Sequence, residues 1–179
     1  IINKDMGQSS VSISFRGFSN VDPRRHHKNL LMRILGNSAS SRLYELLREK
    51  HHLAYTVGIG GSDDSDAGFC SIITCVEEKN IQKALNVIFE ELRHLLADGI
   101  TDEELERAKN KRLSAYLFGL ENWHGLAEGI ADELLMTGKI IPIEDEIAEI
   151  RSTTKENVMN VASYIFSDKP KINILTKSL

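Results

Sequence analysis

Six histidines, two cysteines and 26 carboxylates are the raw material for metal or nucleophile chemistry in this 179-residue sequence. The adjacent pair His51-His52 invites a metal reading, yet neighbouring side chains point apart, and no carboxylate or cysteine stands at ligand spacing on the same face. His26-His27 is similar, with one of the pair expected to pack beside an apolar stripe. Glu121 and His124 have the i, i+3 spacing of carboxylate-bridged di-iron bundles, but such a centre needs a second pair and two more glutamates on facing helices. Helix-surface polarity accounts better for them, and for Glu128 one turn beyond. The run Asp63-Asp64-Ser65-Asp66 lacks the twelve-residue loop and closing glutamate of a calcium site, so a solvated hairpin turn is expected. Gly58-x-Gly-Gly61 is followed by no Gly-Lys-Ser/Thr and is not a phosphate loop. No Gly-x-Ser-x-Gly elbow occurs, and neither Cys70 nor Cys75 has a convincing histidine partner. Their odd spacing on a strand puts the two thiols on opposite faces, where they serve as small hydrophobes. From residue type alone, Arg48 is a helix-end cation that favours the dipole, and Tyr55, in strand parity with Leu53, Val57 and Ile59, is an aromatic on the core face.

The elements that must position these residues are legible from periodicity. Ser9–Gly17 alternates, with Val11, Ile13 and Phe15 on one face and Ser10, Ser12, Ser14 and Arg16 on the other, which is a half-exposed strand. Asp22-Pro23 opens a helix with Leu30, Leu31, Ile34 and Leu35 inward, and Gly36 closes it. Arg42 to Lys50 reads as a short helix burying Leu43, Leu46 and Leu47. Leu53–Gly60 and Ala67–Val76 form an antiparallel pair joined by the loop 61–66. Ile81, Ala84, Leu85, Ile88, Leu92, Leu95 and Leu96 mark a long helix over 78–98. Thr101-Asp-Glu-Glu104 has the form of a capping box for a helix reaching Gly119. A further helix spans Trp123–Met136 and stops at Gly138, and Pro142 opens a shorter one. Thr153-Thr-Lys-Glu156 caps a last helix, and Lys171–Thr176 is a closing strand.

Strands joined by hairpins and helices gathered in blocks give an α+β, two-layer fold: an antiparallel or mixed sheet with helices packed on one face, not a doubly wound parallel sheet. The length suits a single domain, 1–179, with no internal repeat or linker. A net charge of −4 gives no basic footprint for nucleic acid and no polybasic patch for a membrane, and the apolar runs are too short for a membrane segment. No apolar h-region follows a basic start. Because the first residue is Ile1, a chain processed or excised from a longer protein is expected.

The passage Ser40–Ile59, SSRLYELLREKHHLAYTVGI, resembles the "SSRL…LRE…LAY" segment in the second domain of the pitrilysin/insulysin-type zinc metallopeptidases, the inverzincins, whose relatives include the mitochondrial processing peptidase. The resemblance continues in Asp66-Ala-Gly-Phe69 and in Asp98-Gly-Ile-Thr-Asp-Glu-Glu-Leu-Glu-Arg-Ala-Lys109, and takes in Gly36 and the strand ending Phe15-Arg16-Gly17, covering Gln8 to Thr176. It implies a processing-peptidase-like metallohydrolase domain, the C-terminal half of a larger peptidase that closes on a peptide chamber. In this family zinc belongs to the N-terminal domain, on an H-x-x-E-H helix. That motif is absent here, so the resemblance implies no catalysis by this chain alone and no cofactor in it. Partners are then the metal-bearing N-terminal domain, in the same chain or a dimer partner, and a peptide substrate.

By the same resemblance, Arg48 grips substrate backbone or carboxylate, and the Tyr55 hydroxyl polarises the scissile carbonyl. His51 and His52 depart from the glycine or glutamine of many relatives, but leave the Arg48–Tyr55 spacing intact. The alternative the family offers is a domain of a catalytically inactive relative that acts as a scaffold or substrate-holding subunit.

Overall fold

The computed structural model describes residues 8–167 and 170–175. Alternation makes the first strand: in β1 (Ser9–Arg16), Val11, Ile13 and Phe15 are buried, while Ser10, Ser12 and Ser14 are half-buried and Arg16 is exposed. β2 (Ala54–Asp63), β3 (Gly68–Val76) and β4 (Lys171–Leu175) complete a four-stranded sheet in the order β2-β3-β1-β4, antiparallel at every pairing. Thr176, expected in the last strand, lies outside the described residues. The hairpin is tighter than expected, because β2 runs on through Asp63 and the Asp64 N–H donates to the Ala67 carbonyl at 2.8 Å.

The helices cover one face. They are α1 (Arg24–Leu35), α2 (Arg42–Tyr44, continuing as a π-helical turn over Glu45–Lys50), α3 (Ile81–Asp98), α4 (Asp102–Glu121), α5 (Trp123–Thr137), α6 (Ile143–Ser152) and α7 (Lys155–Phe166). Leu30, Leu31 and Leu35 of α1, Ile88 and Leu95 of α3, and Val158 and Ile165 of α7 close over Ile13 and Ile72 of the sheet in one core. Each such side chain contributes about 1.5–3 kcal/mol by leaving water, so this layer fixes where everything else stands. Leu96 falls off the stripe and is exposed, and α5 buries none of its residues.

Caps fix the helix starts. Asp22 Oδ1 accepts the Arg24 N–H at 2.9 Å ahead of α1. Thr101 and Glu104 make the reciprocal pair expected of a capping box at α4. The box at α7 lies one residue later than expected, on Thr154 and Asn157. Thr153 is buried and turns its hydroxyl back to the Glu149 carbonyl of α6, so it is not free to cap.

The end of α1 bears on β2. Gly36 is extended there, at a φ of −147°, and needs no left-handed freedom. Glycine is required because a Cβ would stand 2.3 Å from Ile59 Cγ1. Asn37 makes the left-handed turn, with φ 68°, and its side-chain Oδ1 accepts the Ile59 N–H at 2.7 Å while Nδ2 donates to the Ile59 carbonyl at 3.3 Å. One amide thus stands in for a neighbouring strand on the free edge of β2 and protects it from unwanted pairing.

Candidate substrate-binding site

Arg48 is placed by its neighbours in sequence. Leu43 and Leu47 are fully buried and pin α2 and its π-helical turn to the core, which leaves Arg48 at the rim. The turn is widened by the His51 N–H, which donates to the Leu46 carbonyl at 2.9 Å across five residues, and by the Leu53 N–H, which donates to Leu47 at 2.7 Å. π-turns of this kind recur at functional sites because they re-aim the side chains they carry. His52 exits the turn at a φ of 51°, a left-handed conformation that glycine adopts freely, and its Nδ1 sits 3.0 Å from the Arg48 carbonyl, where an Nδ1–H can donate. His51 is exposed. The two histidines are therefore parts of a turn, and among the described residues no group of three or more His, Cys, Asp or Glu side chains is placed to hold a metal ion.

Tyr55 is placed by a break in the strand. Ala54 pairs with Val76 and Thr56 with Cys75, so Tyr55 is an extra residue bulged out of the ladder. The bulge turns its ring to solvent at 70% exposure, not to the core that strand parity predicts. Two side chains reach the carbonyls at the bulge: Thr74 Oγ1 donates to Thr56 O at 2.9 Å, and Arg48 Nη1 donates to Tyr55 O at 3.2 Å.

The sequence-predicted pair is thus brought together. The Arg48 guanidinium lies 4.4 Å from the centroid of the Tyr55 ring and 5.1 Å from that of Tyr44, between two aromatic faces. Glu49 Oε1 stands 3.6 Å from Arg48 Nε. Arg48, Glu49, His52, Tyr55, Glu77 and Lys79 border an open depression of about 570 Å³ at the end of the sheet. It carries both charge signs, an exposed phenol and a planar cation, which suits a peptide backbone with its donors and acceptors. Tyr44 escaped the sequence reading, although it stands one helical turn before Arg48.

The remaining candidates lie elsewhere. His26 and His27 both face α6, with Nδ1 of His26 3.6 Å from Glu146 and Nε2 of His27 3.8 Å from Glu149, so neither simply packs on an apolar stripe. Burial pushes both imidazoles below the usual histidine range. His124 and Glu128 are an exposed pair along α5. Cys70 is buried on the helix-covered face, its thiol pushed up to about 11 by burial, and Cys75 is half-buried on the other. Asp63 is not a solvated turn residue: it meets the buried ammonium of Lys28.

Residues 1–112 match the family described as the peptidase M16 inactive domain. The chain belongs to that family. An uncharacterized zinc protease of Streptomyces coelicolor is 29% identical over 175 residues, which is 98% of this chain and 38% of that protein. A conserved protein of Enterococcus faecalis superposes with a TM-score of 0.86 at 25% identity, over 98% of this chain and 40% of the other. An inactive peptidase domain from Bordetella parapertussis superposes equally well, TM-score 0.86 at 19% identity, over 99% of this chain and 97% of that one, which shows a shared fold. This M16 chain therefore spans about two fifths of the curated relatives it matches.

Proposed function

We propose that residues 1–179 form one domain, the C-terminal, substrate-holding half of a zinc-dependent peptidase acting on peptides or partly unfolded proteins. The observation that carries this reading is the bulge at Tyr55. It sets an exposed phenolic ring and the Arg48 guanidinium side by side over one open depression. A strand residue without that bulge would point the ring into the core.

Within this reading Arg48 binds the substrate backbone or a carboxylate through its planar donors, and Tyr55 donates its hydroxyl to the scissile carbonyl as charge develops on the oxygen. The uncovered sheet face, with Ser10, Ser12, Ser14 and Arg16, lines the peptide chamber. Among the described residues the side chains do not suit a zinc centre. The chain has no H-x-x-E-H, and among the described residues no three ligands converge. The metal accordingly belongs to the N-terminal domain, in the same chain or a dimer partner.

The test is peptide cleavage by the full-length, zinc-loaded protein. Tyr55→Phe keeps the ring beneath Arg48 and removes only the hydroxyl, so kcat should fall by about 10²-fold with folding intact. Arg48→Ala should raise KM and lower kcat/KM. Unchanged rates in both variants sink the site assignment. A full-length protein that binds no zinc and cuts nothing would favour the scaffold reading.

A further inference from the structure

At the opposite end of β2 from Tyr55, a second cleft of about 360 Å³ opens between α1, the strand segment Ile59–Asp63 and α4. Three cations line it, Lys28 and Arg33 from α1 and Arg112 from α4, against a single carboxylate, Asp63. Two of the cations are compensated. Lys28 is ion-paired with Asp63, and Arg112 Nη2 meets Glu146 Oε1 at 3.0 Å behind the cleft. Arg33 is not: among the described residues its half-buried guanidinium has no ion-pair or hydrogen-bond partner, and Arg112, across the cleft, repels it. Burial, and secondarily Arg112, push its pKa below the usual arginine value. In a chain of net charge −4 this is a local surplus of positive charge taken partly out of water, which an entering anion would offset. Asn29, half-buried on the same wall, has no side-chain hydrogen bond among the described residues and can add its amide N–H.

We propose that this cleft binds a small oxyanion, phosphate or carboxylate, on the Arg33 guanidinium, with Arg112 and Asn29 as flanking donors. The planar fork of a guanidinium matches both oxyanions two oxygens at a time, and phosphate and carboxylate share that chemistry. The volume admits an ion with a small organic group attached and no folded segment. The inference is independent of the Arg48–Tyr55 assignment, since it uses none of those residues.

Isothermal titration of the full-length protein with inorganic phosphate, and separately with succinate, against sodium chloride of equal ionic strength, tests it. Saturable one-to-one binding is expected for at least one of the two, and which one identifies the source of the oxyanion. Arg33→Gln should weaken that binding at least tenfold, and Arg33→Lys, which keeps the charge but not the fork, less. Without added anion, Arg33→Gln should melt no lower than the parent, because it removes an uncompensated cation. The proposal is overturned if neither anion binds saturably, if binding survives Arg33→Gln, or if that variant melts lower in anion-free buffer.

Discussion

The ammonium of Lys28, with 5% of its side chain exposed, stands inside the layer between helices and sheet because Asp63 reaches it from the end of β2. Removing one member of such a pair strands the other charge, which costs more than the pair itself contributes. Lys28→Met should therefore lower unfolding free energy by about 3 kcal/mol, measured by urea denaturation. Adding Asp63→Asn should restore most of it. A double variant no more stable than Lys28→Met would show that the lysine matters through its packing alone. The sequence did carry a signal here. Lys28 stands one turn before Leu31 and Met32 and two before Leu35, on the buried stripe of α1. Asp63, by contrast, read as turn because Gly, Ser and Asp cluster around it.

Two elements, α1 and β2, meet where Gly36 faces Ile59, and the closeness of that approach sets the height of the Asn37 clasp on the strand edge. Gly36→Ala should cost about 1–3 kcal/mol by overpacking, although the backbone angle suits alanine. Combining it with Ile59→Ala, which removes the clashing Cγ1 and Cδ1, should be less destabilising than the sum of the two single changes, as a thermal-melting cycle would show. Strict additivity would mean that the helix end relaxes away from the strand. Most elements were legible because burial imposes a period of two or 3.6, and Val11-x-Ile13-x-Phe15 or the Ile88–Leu92–Leu95 stripe shows it plainly. What stayed hidden is where the period breaks. Parity assigned Tyr55 to the core because it presumes an unbroken ladder, and the bulge adds one residue that no alternation announces. The π-turn around Arg48 is hidden for the same reason, since Leu43, Leu46 and Leu47 read as ordinary helix.

For the molecule as a whole, the helical layer is tied to itself as well as to the sheet, and Arg42 is the knot. From α2 its guanidinium reaches Glu104 of α4 at 2.5 and 2.8 Å, Glu91 of α3 at 3.2 Å, and the carbonyl of Gly99 at 2.8 Å. Glu104 also closes the capping box on Thr101, so one carboxylate serves a helix start and a three-helix junction. Burial pushes its pKa up, but the hydrogen bonds from Arg42 and the Thr101 N–H outweigh that and bring it to about 2. The consequence for stability has a definite sign. Above an unfolded value of 4.5 the group is ionised in both states, and its contribution is fully present. As pH falls from there toward about 2, the unfolded chain takes up a proton that the folded one resists, and the contribution drains away. Glu104→Gln should cost about 1–2 kcal/mol at neutral pH, from the weakened cap and the lost charge-assisted bonds. Its urea midpoint should then fall less steeply with acid than that of the parent, the two curves drawing together as pH approaches 2. Parallel curves across the whole range would mean that the Glu104 carboxylate is not what joins α2 to α4.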